Sequence, residues 1–366
     1  MATTRAKKSS ISKGSPLSLN IAIDAMSGDH GLTVTVPAVL QALKKWPDLR
    51  VLLVGQQSAI EAALAEQRYD AERLQIVHAD QVVEMDELPS RALRQKRASS
   101  MRVALNLVKE GEADACVSAG NTGALMAMSK FVLKTLPGIE RPAICTAMPT
   151  MNGHVHMLDL GANVGVDGEN LLQFALMGSV LVSQLDNNPS PTVGLLNIGE
   201  EEIKGPERIR HAHRLLLQTP LNYVGYVEGD DIFKGSADVV VCDGYDGNIA
   251  LKASEGVAKM ISFHLKQAFH RNLLTKLAGL VAAPVLRQLR QTIDPRRYNG
   301  ASLLGLRRIV IKSHGGADVY AFFHAIGQAR MAVQKDIPSM ISQQLETLMA
   351  DLASQEAIHE SEQASV

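Results

Sequence analysis

Apolar positions along this chain follow two periods in alternation. Short runs of adjacent apolar residues, such as those at 19–24, 51–54, 74–77 and 115–118, have the length of buried strands. Between them, apolar residues recur every three or four positions, the spacing of one helical face. The pattern predicts further strands at 143–147, 156–160, 192–197, 222–226, 239–242 and 309–312. It predicts helices at 34–45, 59–66, 101–110, 124–136, 170–185 and 206–217, a long helical stretch after Cys242, and two closing helices after Lys312. Strands that alternate with helices in this way belong to the α/β class. The expected architecture is a three-layer α/β/α, doubly wound, mostly parallel sheet. No internal repeat or low-complexity linker divides the pattern. One catalytic unit is therefore expected over 18–335, with a helical excursion at about 264–297 and a C-terminal helix and frayed tail at 336–366. Residues 1–17 are polar, carry Arg5, Lys7, Lys8 and Lys13, and lack an apolar run; they read as a disordered basic tail, not a secretory signal.

Composition narrows the function. The 366 residues are 46% hydrophobic, ample for a large core. A net charge of −1 and an aromatic content of 4% provide neither a basic field nor stacking platforms for nucleic acid. Cys116, Cys145 and Cys242 are widely spaced, form no CxxC pair and sit in apolar runs, as buried thiols of a reducing cytoplasm do. The His154/His156 and His211/His213 pairs have no HExxH or Cys/His companion, so no metal site is expected from spacing. No stretch approaches 18 uncharged apolar residues, the length that spans a bilayer.

In open α/β sheets, ligands bind beyond the carboxyl ends of strands, and five such ends carry unusual loops. Ala119-Gly120-Asn121-Thr122-Gly123 opens a helix, where glycines admit a ligand to the backbone and free N–H groups favour an anion. The bland reading, a tight turn with Asn121 as helix cap, is equally good for this loop alone. Asp159 is followed by Gly161-Ala162-Asn163. The run Gly199-Glu200-Glu201-Glu202-Ile203-Lys204-Gly205 by itself reads as a solvated face. Asp243-Gly-Tyr-Asp-Gly-Asn248 precedes Lys252 and Glu255, and Lys312 leads into Ser313-His314-Gly315-Gly316. Besides these five, the first strand ends at Asp24, before Ser27, Gly28, Asp29 and His30. Five such loops at ends expected to converge are poorly explained as turns alone. Together they offer amides, lysines, acids and two histidines. No GxGxxG, GxxxxGK[ST] or GxSxG motif is present for a dinucleotide, a nucleoside triphosphate or a serine nucleophile. Such an inventory, with no obvious nucleophile, suits direct attack by a bound anion.

These motifs resemble the bacterial phosphate acyltransferase family, the acyl-carrier-protein:phosphate transacylases of phospholipid synthesis. The resemblance runs from about Leu19 to about Ala332. It is carried by Asp24-Ala-Met-Ser-Gly-Asp-His30, Ser118-Ala-Gly-Asn-Thr-Gly-Ala-Leu125, Asp159-Leu-Gly-Ala-Asn163, Gly194 through Gly205, Asp243-Gly-Tyr-Asp-Gly-Asn248, and Asn299 through Gly305 with Lys312-Ser-His-Gly315. Ser27, where the family usually has Gly, Tyr245, where it has Phe, and the segment 164–168 depart from the pattern. The resemblance implies a fold like that of isocitrate/isopropylmalate dehydrogenases and phosphotransacetylases, a homodimer, and no organic cofactor. It also implies transfer of a fatty acyl group from acyl carrier protein to inorganic phosphate, and delivery of the acyl phosphate to a glycerol-3-phosphate acyltransferase. The catalytic candidates are Lys204, Asn163, Asn248, Lys252 and His314. The substrate-binding candidates are Asp24, Asp29, His30, Gly120, Asn121, Thr122, Gly123, Asp159, Glu200 and Asp243. Phosphate is expected near Gly120–Gly123, Asn163 and Lys204, and the oxyanion near Asn121, Asn248 and Lys252.

Residues 264–297 carry seven Lys and Arg residues and one acid, Asp294, around a leucine-rich face interrupted at Ala282-Ala283-Pro284. This reads as a helix–break–helix excursion. Either it packs against the sheet or a second copy, or it presents an apolar tip with a basic rim to the membrane or the carrier protein. The expected location is the cytoplasm, with reversible contact at the inner face of the membrane. Two alternatives stay open here: a metal- and nicotinamide-dependent dehydrogenase of the same superfamily, and a non-catalytic membrane scaffold.

Overall fold

A computed structural model describes residues 18–348 and 350; the expected basic tail and most of the expected frayed tail lie outside them. Eleven strands form one sheet: β1 (Leu19–Asp24), β2 (Leu49–Gly55), β3 (Leu74–His78), β4 (Ala115–Ser118), β5 (Ala143–Thr150), β6 (Gly153–Leu158), β7 (Val193–Leu196), β8 (Tyr223–Val227), β9 (Val239–Val241), β10 (Ala301–Leu304) and β11 (Ile309–Lys312). Their order is β3-β2-β1-β4-β11-β10-β5-β6-β9-β7-β8. The first five of these pair in parallel, and so do the last four. Three antiparallel pairings, β11–β10, β10–β5 and β5–β6, join the two blocks. The mostly parallel α/β sheet predicted above is therefore present, but its two blocks run in opposite directions.

That reversal comes from elements the periodicity does not resolve. β6 begins at Gly153, not at 156, and pairs back on β5 through the two-residue turn Met151-Asn152. The Asn152-Gly153 step is a hairpin signal. β10 lies within the Asn299–Gly305 motif, where no strand was expected. A helix at Pro89–Gln95 and a single turn at Asp231–Lys234 are likewise additional.

The parallel strands are buried on both faces, as continuous Val/Ile/Leu runs require: Ile21, Ile23, Val51, Leu53, Val117, Val239 and Val241 are at most 1% exposed. Helices cover them, with Phe174 and Phe322 fully enclosed. Burying one such side chain contributes roughly 1.5–3 kcal/mol. Trp46 stacks on Phe323 at 4.8 Å, joining the helix Leu32–Lys45 to the helix Val319–Gln334. A closing helix over 337–348 buries Ile337, Ile341, Leu345 and Leu348.

The excursion is a two-helix arm formed by Gly244–His270 and Leu273–Ile293. Its break falls at Arg271–Asn272, which corrects the break expected at 282–284. Asn272 and Thr275 form a reciprocal capping box that starts the second helix, and Pro284 lies inside that helix. The two helices pack on each other, with Gly279 set against the Phe269 ring. The arm does not lie on the sheet: Leu273, Leu274, Leu280 and Val281 are 73–83% exposed. At about 1.5 Å per residue, the second helix is roughly 30 Å long.

Candidate active site

The opposed blocks sort the candidate loops. At the carboxyl end of the first block, Lys312 pairs in register with Ser118, and Val117 with Ile23, so Asp24, Ser118 and Lys312 stand in one row. All three are buried. Ser118 Oγ donates to Asp24 Oδ2 at 2.7 Å and accepts the Gly120 N–H at 3.1 Å. Burial raises the Asp24 pKa, against hydrogen bonds from Ser100, Ser118 and the Met26 backbone and the charge of Lys312. Lys312 Nζ donates to the Ala119 carbonyl at 3.3 Å and to the Ser313 carbonyl. Burial lowers its pKa to about 8; Lys252 pushes the same way, and Asp29 and Asp24 oppose. The structure thus places a desolvated cation at the 119–123 loop. In the sequence, Lys312 closes the apolar run Ile309-Val-Ile and opens the Lys312-Ser-His-Gly315 motif.

The loop itself has a divided role. Asn121 spends its side chain on structure: Oδ1 caps the helix at Ala124 N, and Nδ2 donates to the carbonyls of Met85 and Glu87. The N–H groups of Thr122 and Gly123, in the first turn of the helix Thr122–Leu133, have no acceptor within that helix. Both residues are exposed. Free N–H groups at a helix start are suited to an anion. Gly120 is buried, and a Cβ there would meet Met101 Cε at 2.6 Å.

Ser27, the departure from the family pattern, ties two loops together. Its Oγ donates to the Asp24 carbonyl at 2.7 Å and accepts the Ala119 N–H at 2.9 Å. Gly28 holds φ +79, and Asp29 N donates to the Gly315 carbonyl at 2.9 Å. His30 is exposed, and its carbonyl accepts from Thr33. His314 N donates to Asn299 Oδ1, and His314 Nδ1 accepts the Gly316 N–H at 3.1 Å. Partial burial lowers the His314 pKa; Lys252, Lys312 and Lys259 add to this, while Glu255 opposes it.

The second group lies beyond β6 and β9. Asp159 accepts four hydrogen bonds: Ile144 N and Ala162 N at Oδ1, and Asn163 N and Asn163 Nδ2 at Oδ2, at 2.6–3.2 Å. Burial raises its pKa against these bonds. Asn163 Nδ2 also donates to the Pro142 carbonyl. Asp243 accepts Gly165 N and Val166 N at Oδ2 and Tyr245 N at Oδ1. These residues brace the 161–166 loop against the start of the helix Gly244–His270. Asn248 is exposed, and its side chain lies 3.4–3.7 Å from where a Cβ on Gly161 would stand. Tyr245 is also exposed.

The long helix links the two groups. Asn248 and Lys252 are four residues apart, hence on one helix face. Asn248 stands at the second group, and the Lys252 charge acts on Lys312 and His314 in the first. Lys252 is paired with Glu255 at 3.6 Å.

The third loop follows β7, next to β9 in the sheet, and the helix Glu207–Leu216 that it opens reaches the second group through Arg208, whose guanidinium lies 3.4 Å from Asp246 Oδ2. Lys204 pairs with Glu201 at 2.8 Å, and both are exposed, as is Glu200. Gly205 packs against Asn197, whose Nδ2 closes the loop onto the carbonyls of Gly199 and Lys204.

All three cysteines are free and buried, and burial raises each thiol pKa. A buried thiol held neutral is a poor nucleophile.

A mostly parallel sheet of two opposed blocks, with an open helix start near a buried lysine, defines an α/β protein of the phosphotransacetylase fold. A phosphotransacetylase from Streptococcus pyogenes shares this fold at a TM-score of 0.57 and 16% identity, over 87% of this chain and 94% of that one. EutD phosphotransacetylase from Staphylococcus aureus does so at a TM-score of 0.54 and 15% identity, over 87% and 94%. A family model described as fatty acid synthesis protein matches residues 19–340. Proteins named phosphate acyltransferase are 67% identical over 334 residues in Hydrogenovibrio crunogenus (91% of this chain, 99% of the relative) and 60% identical over 336 residues in Alkalilimnicola ehrlichii (91% and 98%). The chain belongs to this family of phosphate acyltransferases.

Proposed function

We propose that the chain transfers a fatty acyl group from an acyl-carrier-protein thioester to inorganic phosphate, releasing an acyl phosphate for phosphatidic acid synthesis. The observation that supports this most directly is Lys312, a buried cation beside free helix N–H groups at Thr122 and Gly123. Phosphate held there has its charge partly neutralised, and one oxygen attacks the thioester carbonyl carbon. The C–O bond forms, the C–S bond breaks, and the proton of hydrogen phosphate ends on the departing sulfur. Lys312, whose pKa burial lowers to about 8, is placed to relay that proton. Asn248 and Lys252, on one face of the long helix, are the donors for the oxyanion. Asp159, Asn163 and Asp243 hold the 161–166 loop against this helix and act by positioning. No acyl-enzyme forms, and no organic cofactor takes part.

The arm supports the remaining part of the reading: a homodimer that rests reversibly on the inner face of the membrane and hands its product to a glycerol-3-phosphate acyltransferase. Its exposed leucines are rimmed by Lys266, Arg271, Lys276 and Arg287. Among the described residues, no helix is long and apolar enough to cross a membrane. Incubation with acyl-carrier-protein thioester and phosphate, with hydroxylamine trapping of the product, tests the reaction. Phosphate-dependent release of free carrier with equimolar acyl hydroxamate is expected. Thioester loss without phosphate, or turnover only with added nicotinamide nucleotide, overturns it.

A further inference from the structure

We propose that His154, His156 and Asp186 form a binding site for one divalent transition-metal ion of the zinc type, separate from the active site. The sequence shows only two histidines two apart; the third ligand comes from thirty residues further on. His154 and His156 project from the same face of β6. Asp186 caps the carboxyl end of the helix Gly168–Leu185. The three ligand atoms lie within 4.8 Å of one another. His154 Nε2 is 2.9 Å, and His156 Nδ1 3.9 Å, from Asp186 Oδ2. Zinc with bonds of about 2.0–2.1 Å in a tetrahedral shell requires ligand spacings of roughly 3.3 Å. The two observed spacings bracket that value, so small rotations of the side chains complete the geometry.

Two independent features point to a cation here. His156 is 6% exposed, and its Nδ1 has no hydrogen-bond partner, although a buried ring nitrogen ordinarily has one. Asp186 places a carboxylate at the negative end of a helix dipole, an unfavourable position unless a positive charge offsets it. Asp238 lies nearby and adds negative potential; it accepts hydrogen bonds from Thr192 and Asn188. Access is open, because the side chains of His154 and Asp186 are each about one-third exposed. Imidazole and carboxylate donors suit zinc, cobalt or nickel better than magnesium or calcium.

The ion would have a structural role. It would clamp the β5–β6 hairpin to the end of the helix Gly168–Leu185. The His154 ring lies 5.8 Å from Tyr298, where the arm returns to the sheet. Leu158, the last residue of β6, is four residues along the strand from His154, roughly 13 Å away at about 3.3 Å per residue, and Asp159 follows it.

The test uses full-length, tag-free protein dialysed against chelator, titrated with zinc chloride by calorimetry and with cobalt chloride by visible absorption. One zinc per chain is expected, with the d–d bands of four-coordinate cobalt and a raised melting temperature. Asp186→Asn and His154→Gln are partly exposed changes that should leave the fold intact, as circular dichroism checks. Each should weaken zinc at least about tenfold, the low end of what even outer-shell changes produce. The absence of saturable micromolar binding overturns the proposal. So does binding that both variants retain, which would mark zinc held at other surface histidines.

Discussion

Replacing Lys312 by Met tests the buried cation through stability and turnover at once. Burial lowers the Lys312 pKa from 10.5 to about 8. A folded-state pKa below the unfolded value means that the folded protein holds the proton less tightly. The charge therefore costs stability below about pH 8, and that cost is relieved as the pH rises from 8 toward 10.5. The difference between 10.5 and about 8 corresponds to between 3 and 4 kcal/mol, on the order of 1.4 kcal/mol per pH unit. Roughly 3 kcal/mol of it is recovered between pH 7 and pH 10.5, because the unfolded lysine is still half protonated at the upper limit. Met keeps the apolar stem but removes both the charge and the hydrogen bonds to the Ala119 and Ser313 carbonyls. Leaving a buried acceptor unpaired costs about 1–3 kcal/mol. With two acceptors left unpaired, the variant should lie between about 1 kcal/mol more and about 3 kcal/mol less stable than wild type at pH 7, and should lose a further ~3 kcal/mol relative to wild type by pH 10.5. Urea midpoints of both proteins across this range give the difference directly, because other titrating groups cancel. Phosphate-dependent turnover should fall by about 10²–10³, the usual cost of losing one pre-aimed donor. A stability difference that stays constant with pH would refute desolvation of Lys312. Unchanged turnover would remove it from the anion site.

Other outcomes follow from the same geometry. Cys116→Ala, Cys145→Ala and Cys242→Ala should each retain turnover, and intact-mass spectra during the reaction should show no acyl adduct; a trapped acyl-enzyme would rule out direct attack. Partial burial and neighbouring cations lower the His314 pKa, so His314 is neutral at pH 7 and gains its proton only below the ordinary histidine range. If it assists proton transfer, kcat/KM should fall on that acid side, and His314→Gln should abolish the limb; identical pH profiles would assign His314 to loop structure. Lys204→Ala should leave the phosphate KM within about twofold, because an exposed ion pair contributes little. A large rise in KM would bring the loop after β7 into the phosphate site. Replacing both Leu277 and Leu280 by Glu should abolish salt-sensitive binding to anionic vesicles in flotation assays while soluble turnover persists. Loss of turnover together with dissociation of an oligomer would instead identify this face as an interface between copies.

Local periodicity is enough to read the α/β class, because buried parallel strands and amphipathic helices each follow from neighbours a few residues apart. Ile21 and Ile23 in β1, and Val239 through Val241 in β9, announce themselves in this way. So do the Gly- and Asn-rich loops, since each strand-end motif is contiguous. What the chain does not reveal locally is direction. The turn at Met151-Asn152 and the short strand β10 reverse the sheet between its halves, so the site loops come from two opposed blocks that the helix Gly244–His270 links. Pairing partners decided which polar residues are left free. Asn121, Asn163, Asp159 and Asp243 look like site residues in the sequence, yet they spend their hydrogen bonds on carbonyls and amides brought near by the fold. Lys312 looks like a strand end, yet its burial between β4 and β10 makes it the desolvated cation. The arm's break was placed at a proline by sequence, whereas the cap formed by Asn272 and Thr275 set it earlier. Desolvation and hydrogen-bond partnership depend on contacts far apart in the chain, such as Ser118 with Asp24 or His156 with Asp186. Only the tertiary structure decides them.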